Sequence, residues 1–346
     1  MSHDLRSIIR QSPPIDVLQT YDPSTLENKT ILITGAANGL GASMARHWAA
    51  HGAHLFIGDV DDAAGEAFVA DLSRAHPSSV FHYQHCDVTD WDQQTSLFEA
   101  AVRLSPQGAI DVVVPNAGVL LPSESFAFEN PPLVDGRVPR PSTVTLDVNI
   151  RGVIYTAHLA LHHLRRNPAS DTSLLLIGSA ASVIPLPGQA QYTMAKHAVA
   201  GLFRTLRVTA AMGGRRNIRV NMLAPYFVAG SRMLPAVAEA TLLSGGAGPA
   251  RIPDVVDAAT RLVADERIAG RSLIVGPPLR LAPEGEVPVG PAEGGGAGRA
   301  AWELYAHDYD EVDTFTYRYV RVLGLVARLR GSLAWMADLW SMLMRK

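Results

Sequence analysis

Two side chains four positions apart, Tyr192 and Lys196, carry the most distinctive chemistry in this sequence. They lie in a predicted helix, so both are expected on the same helical face. A free tyrosine, with a pKa of about 10, is a poor base at neutral pH, but a neighbouring ammonium favours its phenolate. The pair could therefore exchange a proton as a general acid and base. Ser179 ends a predicted strand 13 residues before Tyr192, where its hydroxyl could bind a substrate oxygen.

Each of these residues has a simpler interpretation when it is taken alone. A tyrosine near a helix start often serves packing, and a lysine one turn later is usually solvated. A serine that follows a strand often caps the next turn. The catalytic interpretation therefore depends on the elements that bring the three side chains together.

Those elements are predicted by short apolar runs that alternate with helical stretches from Lys29 onwards. Continuous apolar strands separated by helices are typical of a parallel sheet covered on both faces. The seven predicted strands contain TILITG, HLFIGDV, VFHYQHCDV, IDVVVPNAG, SLLLIGS, NIRVNMLAP and SLIVG. The predicted fold class is therefore α/β, with a doubly wound, seven-stranded parallel Rossmann sheet.

Four segments are predicted along the chain. Residues 1–28 are polar and proline-bearing, which predicts an N-terminal arm laid over the Rossmann domain at 29–276. Residues 277–300 are rich in Gly and Pro and predict a flexible linker, and 301–346 predict a helical C-terminal extension. Within the Rossmann domain, a proline-rich insertion at 129–142 separates the fourth strand from the next helix.

The composition limits the classes of protein. Lys and Arg total 30 against 33 Asp and Glu, a formal net charge of −3, which argues against a nucleic-acid binder. The single cysteine, Cys86, allows neither an internal disulfide nor a thiolate zinc site. The sequence shows no secretory signal, and no uncharged apolar run reaches about 18 residues. We therefore expect a soluble, cytoplasmic protein.

Histidines do not alter this expectation. His158 and His162 are one helical turn apart, with His163 beside them, but the glutamate of a zinc-protease motif is absent. No metal site is predicted.

A glycine-rich turn, TGAANGLG at 34–41, joins the first strand to the first helix. Gly35, Gly39 and Gly41 would permit a tight turn, close approach of the backbone to a pyrophosphate, and close helix packing. The helix N-terminus would offer N–H groups to the anion. The placement favours a dinucleotide site, although such a turn can also be simple loop punctuation.

Asp59 ends the second strand, 18 residues after Gly41. A carboxylate there can accept hydrogen bonds from ribose hydroxyls and would repel a 2′-phosphate. The alternative is that Asp59 forms a turn and helix cap with Asp61 and Asp62. Because the turn at 35–41 contains no Lys or Arg, NAD is preferred over NADP.

Taken together and in order, these motifs resemble those of the short-chain dehydrogenase/reductase family. The resemblance covers about 29–276, through TGAANGLG at 34–41, Asp87-Val88, Asn116-Ala117-Gly118, Asn149, Ser179 and YTMAK at 192–196. It implies an active NAD(P)-dependent alcohol dehydrogenase or carbonyl reductase.

The resemblance also implies residue roles. Tyr192 would be the general acid/base, Lys196 would lower its pKa and bind the nicotinamide ribose, and Ser179 would orient the substrate oxygen. Asn149 would support a proton-relay water. The implied cofactor contacts are Gly35, Asn38, Gly39, Leu40, Gly41, Asp59, Asp87, Val88, Asn116, Ala117, Gly118, Tyr192, Lys196, Pro225 and Val228. Among these, Asp87 and Val88 match the adenine-contacting pair, and Asn116 to Gly118 match a motif that stabilises the sheet.

One stretch departs from the family pattern. The family usually has a Pro-Gly pair after the sixth strand, followed four residues on by a threonine that contacts the cofactor carboxamide. Here the stretch is PYFVAG at 225–230, so both the glycine and the threonine are missing. Ser231 is the hydroxyl that could partly replace the threonine.

The expected substrate is a hydrophobic secondary alcohol or its ketone. Apolar residues in the insertion and in 226–252, including Leu133, Phe227 and Met233, favour a steroid, a prostaglandin-like lipid or a polyketide-type metabolite. The alternative function is a catalytically silent protein that senses NAD(H) with the same fold.

The expected protein partner is a second copy of the chain. The family usually pairs through helices near 150–166 and 192–212, which implies a homodimer or homotetramer. The apolar and basic segment at 318–346 is expected to pack on protein, with contact at a membrane surface as the alternative.

Overall fold

The computed structural model describes residues 11–169, 171–210, 218–231, 233, 248–282, 288–291, 298–305 and seven residues between 318 and 329. Its centre is a sheet whose first seven strands are Thr30–Thr34 (β1), His54–Asp59 (β2), Phe81–His85 (β3), Val112–Pro115 (β4), Thr172–Ile177 (β5), Ile218–Pro225 (β6) and Ser272–Leu281 (β7). They pair in the order β3-β2-β1-β4-β5-β6-β7, and every pair among them is parallel. The predicted doubly wound parallel sheet is confirmed.

Helices cover both faces of this sheet. They are Gly39–Ala50 (α1), Asp62–Ala75 (α2), Trp91–Leu104 (α3), Pro122–Glu129 (α4), Val153–Arg166 (α5), Ala190–Thr209 (α6) and Ile252–Ala264 (α7). Alternate strand residues point to opposite faces. Ile31 and Ile33 pack in the core with Trp48 of α1, while Leu32 packs in the opposite core with Phe203 of α6.

Two strands extend the sheet beyond the seven predicted ones. They are Pro288–Pro291 (β8) and Arg299–Leu304 (β9), and both pair antiparallel with β7. The predicted flexible linker at 277–300 is therefore wrong over much of its described length, and the C-terminal extension begins as a strand. The physical reason is that β7 would otherwise present an unpaired row of backbone N–H and C=O groups at the sheet edge. The described residues between 318 and 329 are helical.

The N-terminal arm lies along the β7 edge, with residues 1–10 outside the described part. Ser12 exchanges hydrogen bonds with Ala269, and the main-chain N–H of Ile15 donates to Glu303 of β9 at 3.0 Å. Arg271 is fully buried, where it donates to the Ser12 carbonyl and pairs with Glu303 at 3.5 Å. The arm, β7 and β9 are thus joined through one buried ion pair.

The chain between β4 and α5 contains more helix than expected. Helix α4 precedes the insertion, and after it come a helical turn at Val144–Leu146 and a π-helical segment at Asp147–Gly152. A search of the described residues for a helix long and apolar enough to cross a membrane finds none.

Candidate active site

The predicted catalytic side chains meet where the strands of the parallel sheet end. Ser179 follows β5 by two residues, and Tyr192 and Lys196 lie in the first two turns of α6. Open α/β sheets bind ligands at this carboxyl edge. The fold thus places Ser179, which follows β5, near Tyr192 and Lys196 of α6.

Tyr192 and Lys196 form a buried pair. The Lys196 ammonium nitrogen lies 5.6 Å from the centre of the Tyr192 ring and donates to the Ile177 carbonyl at 3.1 Å. Burial lowers the pKa of Lys196 to about 8. Burial also raises the pKa of Tyr192 above its ordinary value, while a hydrogen bond with Ser179 acts to lower it. In the structure, then, the neutral phenol is the favoured form of Tyr192.

Ser179 is held by a short turn of 3₁₀ helix, Ala180–Ser182. Its hydroxyl accepts from the N–H of Ala181 at 3.2 Å, and its own N–H donates to the Ser182 hydroxyl at 3.1 Å. The Ser182 hydroxyl in turn donates to the Lys196 carbonyl at 2.8 Å. The turn that holds Ser179 and helix α6 are therefore joined directly. The cap interpretation of Ser179 is correct, and it is compatible with the hydrogen bond to Tyr192.

Asn149 lies within the π-helical segment, fully buried. Its amide group makes two reciprocal bonds with Val119, donating to the carbonyl at 2.7 Å and accepting from the N–H at 2.8 Å. These bonds fix the chain that follows Gly118. They use one of the two N–H groups and one of the two lone pairs of the amide, and the role of Asn149 in holding a relay water stays a prediction.

The glycine-rich turn has the form that a pyrophosphate requires. Gly35 and Gly39 have φ of +67° and +60°, which L side chains rarely adopt, and a Cβ on Gly35 would lie 2.5 Å from the Ala117 Cα. Asn38 makes no side-chain cap at the start of α1. Leu40 and Gly41 form the first turn of α1, where unpaired N–H groups favour an anion. These residues fit the phosphates of a dinucleotide.

The motif at 116–118 holds this turn to the neighbouring strand. The Asn116 amide donates to the carbonyls of Thr34 at 3.0 Å and of Gly35 at 2.6 Å. The Ala117 N–H donates to the Thr34 hydroxyl at 3.3 Å. Asn116 therefore positions the glycine turn as well as ending β4.

Asp59 lies beside the glycine turn at the end of β2. One carboxylate oxygen accepts from the N–H of Ala37 at 2.9 Å, and the other from Val60 at 2.7 Å and Asp61 at 3.2 Å. Asp59 therefore does form a turn with the residues that follow it, as the alternative interpretation predicts. Each carboxylate oxygen can accept more than one bond, so ribose hydroxyls remain compatible with it. In the described part of the chain, no lysine or arginine pairs with Asp59 or Asp61.

Asp87 and Val88 lie after β3, on the adenine side of the expected site. The Asp87 carboxylate accepts from the N–H and the hydroxyl of Thr89, both at 2.8 Å, as a strand-end cap does. Val88 is buried, and Gly152 packs closely against it. The structure thus shows local structural roles for both residues, and their contact with adenine stays a prediction.

The loop after β6 covers the glycine turn. Pro225 ends β6, and Val228 forms an isolated bridge with Ala250. A Cβ on Gly39 would lie 2.6 Å from the Ser231 carbonyl, so the loop passes close to the start of α1. Farther along, the Met233 sulfur lies 3.9 Å from the Tyr192 hydroxyl. The chain that follows the departing stretch therefore passes beside the glycine turn at Ser231 and beside Tyr192 at Met233.

Sequence reasoning missed Ser182 and Glu124, which both support the site through buried hydrogen bonds. Neither belongs to a motif, although the spacing of Ser182 from Ser179 matches a capping box, which the structure contains. A search of the described residues for three or more grouped His, Cys, Asp or Glu side chains that could hold a metal ion finds none.

Comparison with known proteins yields one consistent family. Its description is "short chain dehydrogenase", and it matches residues 29–241. The chain is 33% identical to a 5′-hydroxyaverantin dehydrogenase of Dothistroma septosporum over 74% of this chain and 87% of that protein. It is 34% identical to a 5′-hydroxyaverantin dehydrogenase of Emericella nidulans, over 76% and 88% respectively.

Two further similarities bear on the cofactor and the fold. The chain is 28% identical to an NADP-dependent dehydrogenase of Phoma sp., over 77% of this chain and 79% of that protein. A solved short-chain dehydrogenase/reductase of Brucella melitensis superposes with a TM-score of 0.59 at 24% identity, covering 72% of this chain and 94% of the other. The second similarity shows the fold.

Proposed function

Because the chain belongs to the short-chain dehydrogenase/reductase family, we propose that it interconverts a hydrophobic secondary alcohol and its ketone with NAD as cofactor. That it is an alcohol oxidoreductase follows from the family; the cofactor and the substrate are the proposed part. The observation that supports it best is the buried pair of Tyr192 and Lys196 beside the half-buried Ser179 at the carboxyl edge of the sheet.

Proton transfer is assigned to Tyr192. In the oxidation direction its phenolate removes the alcohol proton, and Ser179 holds the substrate oxygen by a hydrogen bond. Because burial raises the pKa of Tyr192, the phenolate needs a nearby cation, and the Lys196 ammonium is in place to supply it. NAD, when bound, accepts the hydride. Reduction is the reverse, with the neutral phenol as the acid.

The preference for NAD is proposed on the charge around Asp59. Asp59, Asp61 and Asp62 lie within four residues at the end of β2 and the start of α2. A 2′-phosphate placed there would meet the negative charge of Asp59, which lies against the glycine turn, with Asp61 and Asp62 following it in the chain. The Phoma relative is named as NADP-dependent, so the cofactor preference of this chain has to be measured directly with both cofactors.

The substrate class is proposed as an apolar, polyketide-type or similarly large molecule. Two relatives are named for a hydroxyl-bearing compound, 5′-hydroxyaverantin. The Met233 sulfur next to the Tyr192 hydroxyl adds an apolar, adaptable wall at the reacting position. This supports a role in specialised metabolism.

A homodimer is proposed through α5 and α6. An apolar groove of about 310 Å³ runs between these helices, lined by Ile150, Val153, Ile154, Ala198, Val199, Gly201, Leu202 and Thr205. Ile154 exposes half of its side chain there. A second copy would cover this surface, as the family pattern implies. The proposed location is the cytoplasm.

The test compares wild-type protein with Tyr192→Phe in oxidation of cyclododecanol and 2-propanol by NAD and NADP. Turnover with NAD that is lost in the variant, with NADH binding retained, is the expected result. The alternative function, a silent NAD(H) sensor, predicts tight NADH binding and no Tyr192-dependent turnover in either direction with any alcohol or ketone tested.

A further inference from the structure

The insertion at 129–142 leaves and rejoins the fold beside a buried carboxylate. Glu124 of α4 precedes the insertion and is only 9% exposed. One of its carboxylate oxygens accepts from the Ser142 hydroxyl at 2.7 Å, and the other accepts from the Thr145 N–H at 3.1 Å and the Thr145 hydroxyl. Three donors from the far end of the insertion therefore converge on one carboxylate, in charge-assisted bonds.

The same contacts reach the catalytic helix. The Ser142 carbonyl accepts a hydrogen bond of 2.6 Å from the side-chain amide of Gln191, the residue immediately before Tyr192. Thr145 lies in the helical turn that continues into the π-helical segment containing Asn149. Glu124 thus ties the base of the insertion to the two helical segments that carry Tyr192 and Asn149.

The insertion itself has little else to hold it. Residues 131–141 make no side-chain hydrogen bond or ion pair to the rest of the described chain. Two backbone hydrogen bonds of 3.0 Å between Val134 and Arg137 close a tight turn, with positive φ at Asp135 and Gly136. Leu133 and Val138 are both more than 60% exposed. The side-chain hydrogen bonds that connect the insertion to the rest of the described chain therefore lie at its base.

We infer that Glu124 is a positioning residue for substrate binding. Its carboxylate holds the insertion as an apolar wall on the substrate side of Tyr192, where it contacts the large apolar part of the substrate. This inference rests on the proposed function, since the wall serves an alcohol or ketone bound at Tyr192. Loss of the carboxylate should weaken binding of a large apolar substrate while proton transfer at Tyr192 is retained.

Trypsin cleavage after Arg137 measures the anchoring without any substrate. Full-length wild type is compared with Glu124→Ala, Ser142→Ala and the control Glu66→Gln, which changes an exposed carboxylate of α2. We expect cleavage to accelerate about tenfold in Glu124→Ala, less in Ser142→Ala and not in the control, because local opening governs proteolysis. NADH binding confirms that each variant is folded. An unchanged cleavage rate in both folded test variants would overturn the inference.

Steady-state kinetics measure the substrate effect. For Glu124→Gln, which keeps the shape and one acceptor oxygen, we expect KM for cyclododecanol to rise about tenfold while kcat for 2-propanol stays within about twofold, because only uniform binding is lost. A fall in kcat for both alcohols with KM unchanged would contradict a positioning role in binding. If wild type oxidises neither alcohol, the proposed function is what fails, and the trypsin result still decides whether Glu124 anchors the insertion.

Discussion

The Ser182 hydroxyl donates a hydrogen bond of 2.8 Å to the main-chain carbonyl of Lys196. Because the same hydroxyl accepts from the Ser179 N–H, one buried side chain links Ser179 to helix α6, which carries Tyr192. Neither Ser179 nor Tyr192 is positioned by its own secondary structure alone. The geometry of the site thus depends on a residue without a direct chemical task.

Removal of this hydroxyl should lower activity without removing any catalytic group. For Ser182→Ala we expect kcat with cyclododecanol and NAD to fall about tenfold. Poorer positioning of Ser179 relative to Tyr192 would raise the activation free energy by about 1.4 kcal/mol. The dissociation constant for NADH, measured by fluorescence titration, should stay within twofold. Ser73→Ala, which removes an exposed helix hydroxyl bonded to the Val69 carbonyl, is the control. Wild-type kcat in Ser182→Ala would show that the link is dispensable.

The buried ammonium of Lys196 should make stability depend on pH. The folded protein releases this proton above about 8, whereas the unfolded chain keeps it up to about 10.5. Between these values the unfolded state binds more protons, so this group makes the free energy of unfolding rise with pH. Compared with Lys196→Met, the wild type should gain up to about 2 kcal/mol from pH 8 to 10 in urea titrations. Parallel curves for the two proteins would contradict this.

Replacement of Asp59 should change the choice of cofactor. For Asp59→Ser we expect KM for NADP to fall by about tenfold, equivalent to about 1.4 kcal/mol, as one carboxylate no longer faces the 2′-phosphate. KM for NAD should rise, because the ribose loses an acceptor. Glu66→Gln changes the charge of nearby α2 and should leave both constants unchanged. A wild-type preference for NADP would show that the role proposed for Asp59 is wrong.

A charge in the α5–α6 groove should separate the subunits. We expect Ile154→Glu to sediment as a monomer at concentrations where wild type is a dimer, because a carboxylate would be buried in an apolar contact. Leu18→Glu replaces an equally apolar residue, 76% exposed on the N-terminal arm, and should leave the oligomer intact. Equal sedimentation of wild type and Ile154→Glu would place any subunit contact elsewhere.

Loss of Glu303 should destabilise the β7 edge strongly. Arg271 is fully buried, so Glu303→Ala leaves a buried cation without its carboxylate, and we expect a loss of about 3–5 kcal/mol in the free energy of unfolding. Replacing both partners, as Arg271→Met with Glu303→Leu, should recover most of it. Chemical denaturation of wild type, Glu303→Ala and the double variant measures the free energy of unfolding. A double variant as unstable as Glu303→Ala would show that the unpaired buried charge is not the cause of the loss.

The parallel sheet, and the placing of Ser179, Tyr192 and Lys196 near one another, could be predicted from sequence for a common reason. Apolar runs, a glycine turn and the spacing of Tyr192 and Lys196 are local patterns, and local patterns determine strands, turns and helix faces. The prediction of a flexible linker at 277–300 failed because pairing with β7, a strand outside most of that segment, determines its structure. Proline and glycine at 277–300 disfavour strands in general, yet Pro288 and Pro291 are acceptable at a sheet edge.

Side-chain hydrogen bonds between residues distant in the sequence could not be predicted either. Glu124 and Ser142 are 18 residues apart with a proline-rich segment between them, and no periodicity connects them. From sequence alone Glu124 is expected at the surface, because the donors that allow its burial belong to another element. Met233, by contrast, was predicted near the substrate from its apolar type alone, and its sulfur lies 3.9 Å from the Tyr192 hydroxyl; its contact with a substrate stays a prediction.

The strand that covers the β7 edge, β9, follows β7 in the chain. β7 precedes β9 in the chain and emerges from the ribosome first, so the β7 edge that β9 covers stays unpaired until Arg299–Leu304 emerges. Open edges of this kind pair with other chains. Chains that end before Arg299 would therefore keep this edge unpaired and associate with one another more readily than the full chain.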